Sequence, residues 1–70
     1  MSLFCALVNN SDNLVTNLIV ADPRVDPAPA GFTIVGLPEG SLVTRDWRYD
    51  RDGHRFIDPN NIQIQEAVKL

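Results

Sequence analysis

Cysteine is almost absent from this chain, and the one present, Cys5, cannot close an internal disulfide. Histidine is equally scarce. His54 stands alone, so Cys5 has no evident partner base, and one Cys with one His makes no zinc set. The neighbours Phe4, Ala6 and Leu7 make Cys5 read as a buried thiol acting as a small hydrophobe. There is no Gly-rich phosphate loop, and Ser11, Ser41 and Thr44 lack a His/Asp constellation that would activate a hydroxyl. No stretch approaches the roughly 20 apolar residues of a membrane span. Positive charge is in deficit, with six Lys and Arg against nine Asp and Glu and a net charge of −3, which argues against a polyanionic partner. Met1-Ser2-Leu3-Phe4 lacks the charged start of a secretory leader, so none is expected, and the sequon Asn9-Asn10-Ser11 is set aside with it. These absences predict no enzyme, no cofactor, no metal, no nucleic acid, no membrane contact and no small-molecule substrate.

Length adds a constraint. A 70-residue chain is one domain at most. It buries only about 60 % of its unfolded surface and is marginal alone. Chains of this size add disulfides, metals or partners. With the first two set aside, oligomerisation is the expected staple.

What is present is β-type patterning, with the clearest signal at Trp47–Phe56. Asp52-Gly53 between alternating residues predicts a β-hairpin with a two-residue type I′ turn, both turn residues at φ > 0. A three-residue loop, Arg51-Asp52-Gly53, with a bulge is the alternative. The two-residue loop sets Tyr49 opposite Phe56 and Asp50 opposite Arg55. Each such pair contributes about 0.2–1 kcal/mol, and a one-residue slip loses both. One face then carries Trp47, Tyr49 and Phe56, and the other Arg48, Asp50 and Arg55. The arginines invite a nucleic-acid reading with the aromatics as stacking platforms. Interleaved Asp46, Asp50 and Asp52 neutralise them, so Trp47, Tyr49, Gly53 and Phe56 are taken as hairpin packing residues. Asp50-x-Asp52-Gly53 resembles the start of a calcium loop but lacks the remaining ligands.

A second hairpin is predicted over residues 3–21, with the αL-tolerant cluster Asn10–Asn13 as its loop. In that register Leu3, Cys5 and Leu7 share a face with Thr16, Leu18 and Val20, while Phe4, Ala6 and Val8 share the other with Val15, Asn17 and Ile19. Both faces are largely apolar, unlike a sheet with one wet side. Phe4, Ala6, Val8, Val15, Leu18 and Ile19 are therefore the expected interface. Residues 22–30, with Pro23, Pro27 and Pro29, form a linker. Residues 31–58 hold a third strand from Gly31 to Leu37, a turn Pro38–Ser41, a short Leu42–Thr44 segment read as a bulged edge, and the Trp/Tyr/Phe hairpin. Asp58–Asn61 makes a further turn. Residues 59–70 end in a strand with Ile62, Ile64, Val68 and Leu70 on one side, or in a short helix from Gln63. The fold class is all-β, a small antiparallel meander of five to six short strands in a single domain, 1–70.

The order of these pieces resembles a small β module found in tail fibres, baseplates and short accessory proteins of tailed bacteriophages. The resembling residues are Asn17-Leu18-Ile19-Val20-Ala21-Asp22, then Ala30-Gly31-Phe32-Thr33-Ile34-Val35-Gly36-Leu37-Pro38, then Trp47-Arg48-Tyr49-Asp50 with Phe56 and Pro59. Similar modules often carry Gly before the Trp, where this chain has Asp46. The resemblance implies a virion structural role without catalytic residues: a tail, baseplate-fibre or capsid-decoration subunit, assembled in the bacterial cytoplasm and contacting other virion proteins as a homo- or hetero-oligomer. Two alternatives stay open. One is a soluble phage accessory protein, such as a tail-fibre assembly chaperone or an inhibitor of host defence. The other is a small nucleic-acid-binding β barrel.

Overall fold

The computed structural model describes residues 3–68. The described residues are all-β, in two three-stranded antiparallel sheets. Strands β1 (Leu3–Asn9), β2 (Val15–Ala21) and β3 (Phe32–Gly36) form the first, in the order β2-β1-β3. Strands β4 (Arg48–Asp50), β5 (Arg55–Ile57) and β6 (Ile64–Glu66) form the second, a meander.

The Asn-rich loop closes the first hairpin as its composition predicts. Asn9 Oδ1 accepts from the Ser11 N–H and Oγ–H, both at 2.9 Å, and Asp12 Oδ1 accepts from Leu14 N–H at 3.0 Å. Asn13 takes φ 60°, the left-handed conformation that Asn tolerates. Val8 pairs with Val15 as expected, but Leu7 pairs with Asn17, so Thr16 is an extra residue in a β-bulge. The Thr16 hydroxyl donates to Leu7 O at 3.0 Å. Beyond the bulge every partner moves by one: Ala6 meets Leu18, Cys5 meets Ile19, and Phe4 meets Val20. This corrects the expected faces. Phe4, Ala6, Leu18 and Val20 share one side, and Leu3, Cys5, Leu7, Asn17 and Ile19 the other.

The linker must cross β1 to join β2 to β3. It does so on the Cys5 side, where Pro23 and Leu3 lie close to the position a Gly36 side chain would take. The segment after β3 crosses back on the opposite side and carries Leu37, Val43 and Trp47 into the core. Residues 42–44 form no strand; Val43 is 3 % exposed and simply plugs the core. Asp46 then adopts φ 75°, a conformation suited to glycine and costly for other residues. That geometry turns the chain so that Asp46 N–H donates to Val15 O (2.9 Å), Val15 N–H to Trp47 O (2.8 Å) and Tyr49 N–H to Asn13 O (2.7 Å). These bonds tie the two sheets together.

The second hairpin has the expected strand register, with Tyr49 opposite Phe56 and Asp50 opposite Arg55, but a different loop. Four residues, Arg51 to His54, make the turn, and the positive φ falls on His54 (55°), not on Asp52 or Gly53. The type I′ expectation is therefore corrected. At Gly53 a Cβ would sit 2.8 Å from both Asp50 Oδ2 and Arg55 Nε, so a side chain there would push this ion pair aside. Asp58 caps the next turn, its carboxylate accepting from Ile62 N–H (2.7 Å) and Gln63 N–H (3.1 Å). The C-terminal segment is strand β6, not helix. Ile62 and Ile64 stay exposed while Ala67 enters the core, and Leu70 lies outside the described residues. Ala6, Val8, Val15 and Val35 of the first sheet pack with Tyr49, Phe56 and Ala67 from the second half of the chain.

Candidate interaction surface

The first sheet is covered unevenly. The segment from Leu37 to Trp47 and the second sheet roof Ala6, Val8 and Val15, which are 0 %, 0 % and 1 % exposed. Those three were expected at an interface, and the structure moves them into the core: the roof comes from the chain itself. The cover stops short of the start of β1. Phe4 remains 70 % exposed, its cross-strand partner Val20 66 %, and Leu18 38 %. Ile19, also expected at the interface, lies on the Cys5 side and is half-buried. Leu18 and Val20, expected on the Cys5 side, lie on the Phe4 side, and Asn17 and Ile19 the reverse, because nothing in the pattern marks the Thr16 bulge.

Beside this strip runs a groove of about 480 Å³, floored by Leu3, Phe4 and Leu18 and walled by Leu37–Ser41 and Val43. Its wall is built locally. Leu37 N–H donates to Phe4 O at 2.8 Å, Ser41 N–H to Pro38 O at 3.1 Å, and Val43 N–H to Ser41 Oγ at 3.2 Å, with Gly40 at φ 76° closing the turn. The lining is apolar apart from Glu39, Ser41 and backbone. Phe4, Leu18 and Val20 with this groove form the apolar surface that the roof leaves open to water.

The aromatic hairpin is a packing unit. Trp47, Tyr49 and Phe56 are at most 6 % exposed. The Tyr49 and Phe56 rings lie 4.9 Å apart, tilted by 38°, within the range of favourable aromatic pairs. The Tyr49 hydroxyl is 2.9 Å from His54 Nδ1, and burial raises its pKa above the ordinary 10.0. Two of the hairpin arginines, Arg51 and Arg55, are engaged within the fold, while Arg48 stays exposed. Arg55 Nε bonds Asp50 Oδ2 at 3.2 Å. Arg51, stacked 5.6 Å from the Tyr49 ring centre, donates to Asn13 Oδ1 at 2.7 Å and to Asn10 Oδ1 at 2.8 Å. Thr33 Oγ–H shares the Asn10 acceptor at 2.6 Å, so one guanidinium clips the hairpin tip to the first loop and to β3. Sequence reasoning missed this clip, whose members lie 38 and 41 residues apart.

The Asp50 carboxylate is likewise occupied. Oδ1 accepts from Asp52 N–H and Gly53 N–H, both at 3.2 Å. The Gly53 amide first, then the Arg55 guanidinium, hold its pKa below the ordinary 3.8. Among the described residues no group of three His, Cys, Asp or Glu is placed to hold a metal ion, and no helix is long and apolar enough to cross a membrane. Cys5 is fully buried; its thiol donates to Ala21 O at 3.4 Å, and burial pushes its pKa above the ordinary 9.0. A thiol that is both inaccessible and protonated is no nucleophile. Compared with protein-family models, with curated proteins and with solved structures, the chain finds no match.

Proposed function

We propose that this chain is a non-enzymatic structural subunit of a tailed-bacteriophage particle, a tail or baseplate-fibre component or a capsid-decoration protein, that works by docking onto other virion proteins. The observation that carries the docking is the Phe4–Leu18–Val20 strip with its adjoining groove, left bare by a chain that roofs the rest of the same sheet face. The virion setting is supported by the order of the three motif segments, Asn17–Asp22, Ala30–Pro38 and Trp47–Phe56. The nucleic-acid reading has less to stand on, since Arg51 and Arg55 are paired within the fold and the chain carries a net charge of −3, leaving Arg45 and Arg48 as the exposed arginines of that segment.

Mass spectrometry of purified particles from a phage carrying this gene should find the chain at a fixed copy number. The Phe4→Ser variant should fold but fail to enter particles. Absence of the wild-type chain from particles, with the protein remaining in the lysate, would replace this reading with the accessory-protein alternative.

A further inference from the structure

We propose that the outer edge of β2 pairs with β2 of a second copy of this chain, joining two first sheets into one six-stranded sheet. The proposal rests on the assembly reading for its purpose and on edge geometry for its partner.

Backbone direction along β1 is set by two bonds. Leu37 N–H donates to Phe4 O, and Asn10 N–H donates to Gly31 O, so the even-numbered residues of β1 turn their peptide groups toward β3. Alternation then turns Leu3, Cys5 and Leu7 toward β2, and their partners Ala21, Ile19 and Asn17 back toward β1. Leu18 and Val20 must therefore point their N–H and C=O groups outward. Closer to the loop, residues 13–15 already have their outer edge occupied by residues 46–49. No other segment among the described residues offers a backbone hydrogen bond to Leu18 or Val20. The Leu18 N–H is held by the exposed Asn17 side chain, with Oδ1 at 2.9 Å, a cap that swings away at little cost.

An open edge of this kind calls for an extended strand. Natural edges are guarded by charge, Pro, a bulge or a covering segment. This one has no charged residue and no Pro between Asp12 and Asp22. The bulge at Thr16 ends where the free half begins.

The second copy is the occupant that fits. A two-fold axis at Ile19 sets Leu18 opposite Val20 of the second copy and Val20 opposite its Leu18. Both are hydrogen-bonded pairs, so every outward group of both strands is used. Ile19 meets its own counterpart, and Asn17 meets Ala21. An axis at Leu18 would instead oppose Val20 to Thr16, whose peptide groups are diverted by the bulge. No charged residue lies within the paired segment 17–21. The dimer also sets Phe4, Leu18 and Val20 of both copies on one continuous face, doubling the strip that docks.

Sedimentation velocity from about 1 μM to about 1 mM protein should show a species of twice 7.8 kDa. Val20→Pro removes only an outward N–H and should raise the dimer dissociation constant at least tenfold. Val20→Lys, which keeps the backbone donor, should do the same, with near-native circular dichroism in both as the folding control. Ile19 and its counterpart form a non-hydrogen-bonded pair, with Cα atoms about 4.5 Å apart, within reach of a disulfide. Ile19→Cys should thus cross-link two copies under mild oxidation, while the buried Cys5 does not. Cross-linking through Phe4→Cys but not Ile19→Cys would overturn the edge pairing in favour of face-to-face packing. A chain that stays monomeric throughout yet enters particles overturns the dimer and leaves the assembly reading standing. A dimer that never enters particles does the reverse.

Discussion

Two phenylalanines in this chain should respond in opposite ways to removal. Phe4 is 70 % exposed, and Phe56 is 0 % exposed. Full burial of such a side chain is worth about 1.5–3 kcal/mol. Phe4 realises roughly a third of that, so Phe4→Ser should cost about 0.5–1 kcal/mol. Phe56→Ala should cost about 3–5 kcal/mol from transfer and cavity together, with the Tyr49 ring left without its partner at 4.9 Å. At about 0.05–0.15 kcal/mol per residue the whole fold has only about 3.5–10 kcal/mol to lose. Phe56→Ala should therefore lose about a third or more of the total stability and unfold at markedly lower urea than the wild type, and Phe4→Ser should not. Trp47, the only tryptophan and 6 % exposed, reports the transition by fluorescence during urea unfolding. The same two proteins, added to an assembly extract, separate folding from docking: Phe4→Ser should be folded and excluded from particles. A loss above about 2 kcal/mol for Phe4→Ser would place that side chain inside the monomer core. Unchanged incorporation would remove the strip from the docking surface. Either result refutes the reasoning.

Arg51→Ala should lower stability by about 1 kcal/mol, the scale of an exposed charged hydrogen-bond cluster, and hydrogen exchange should quicken at the Asn10–Asn13 loop as well as at the hairpin tip. Asp46→Gly should be neutral to stabilising by up to about 1 kcal/mol, since it relieves a left-handed residue while loosening the unfolded chain; Asp46→Val should cost more than 1 kcal/mol, and equal melting temperatures for the two would contradict the φ of 75°. The lowered pKa of Asp50 means that its carboxylate supports the fold above the ordinary 3.8 and that this support is lost as pH falls through its lower folded value. Asp50→Asn should flatten that part of an acid titration of stability, and an unchanged acid limb would rule out the Gly53 and Arg55 contacts as its cause.

Much of the fold was legible in the residues. The Asn-rich loop, the linker prolines, the Tyr49–Phe56 and Asp50–Arg55 pairing and the buried Cys5 all follow from local chemistry acting over a few residues. The hairpin tip was read in the right register through the wrong turn, because Asp-Gly signals a tight reversal without saying which residue turns left-handed. The Thr16 bulge was not legible at all. One extra residue carries no compositional mark, yet it exchanges the faces of Leu18, Ile19 and Val20, and so moves two of the six expected interface residues.

The sequence by itself determined an all-β chain, because alternation, turn residues and apolar content act locally and additively. Tertiary structure alone decided which apolar residues stay bare. Ala6 and Phe4 are two positions apart on one strand face, equal in pattern, and only the path of the Leu37–Trp47 segment across the sheet buries one and leaves the other in water.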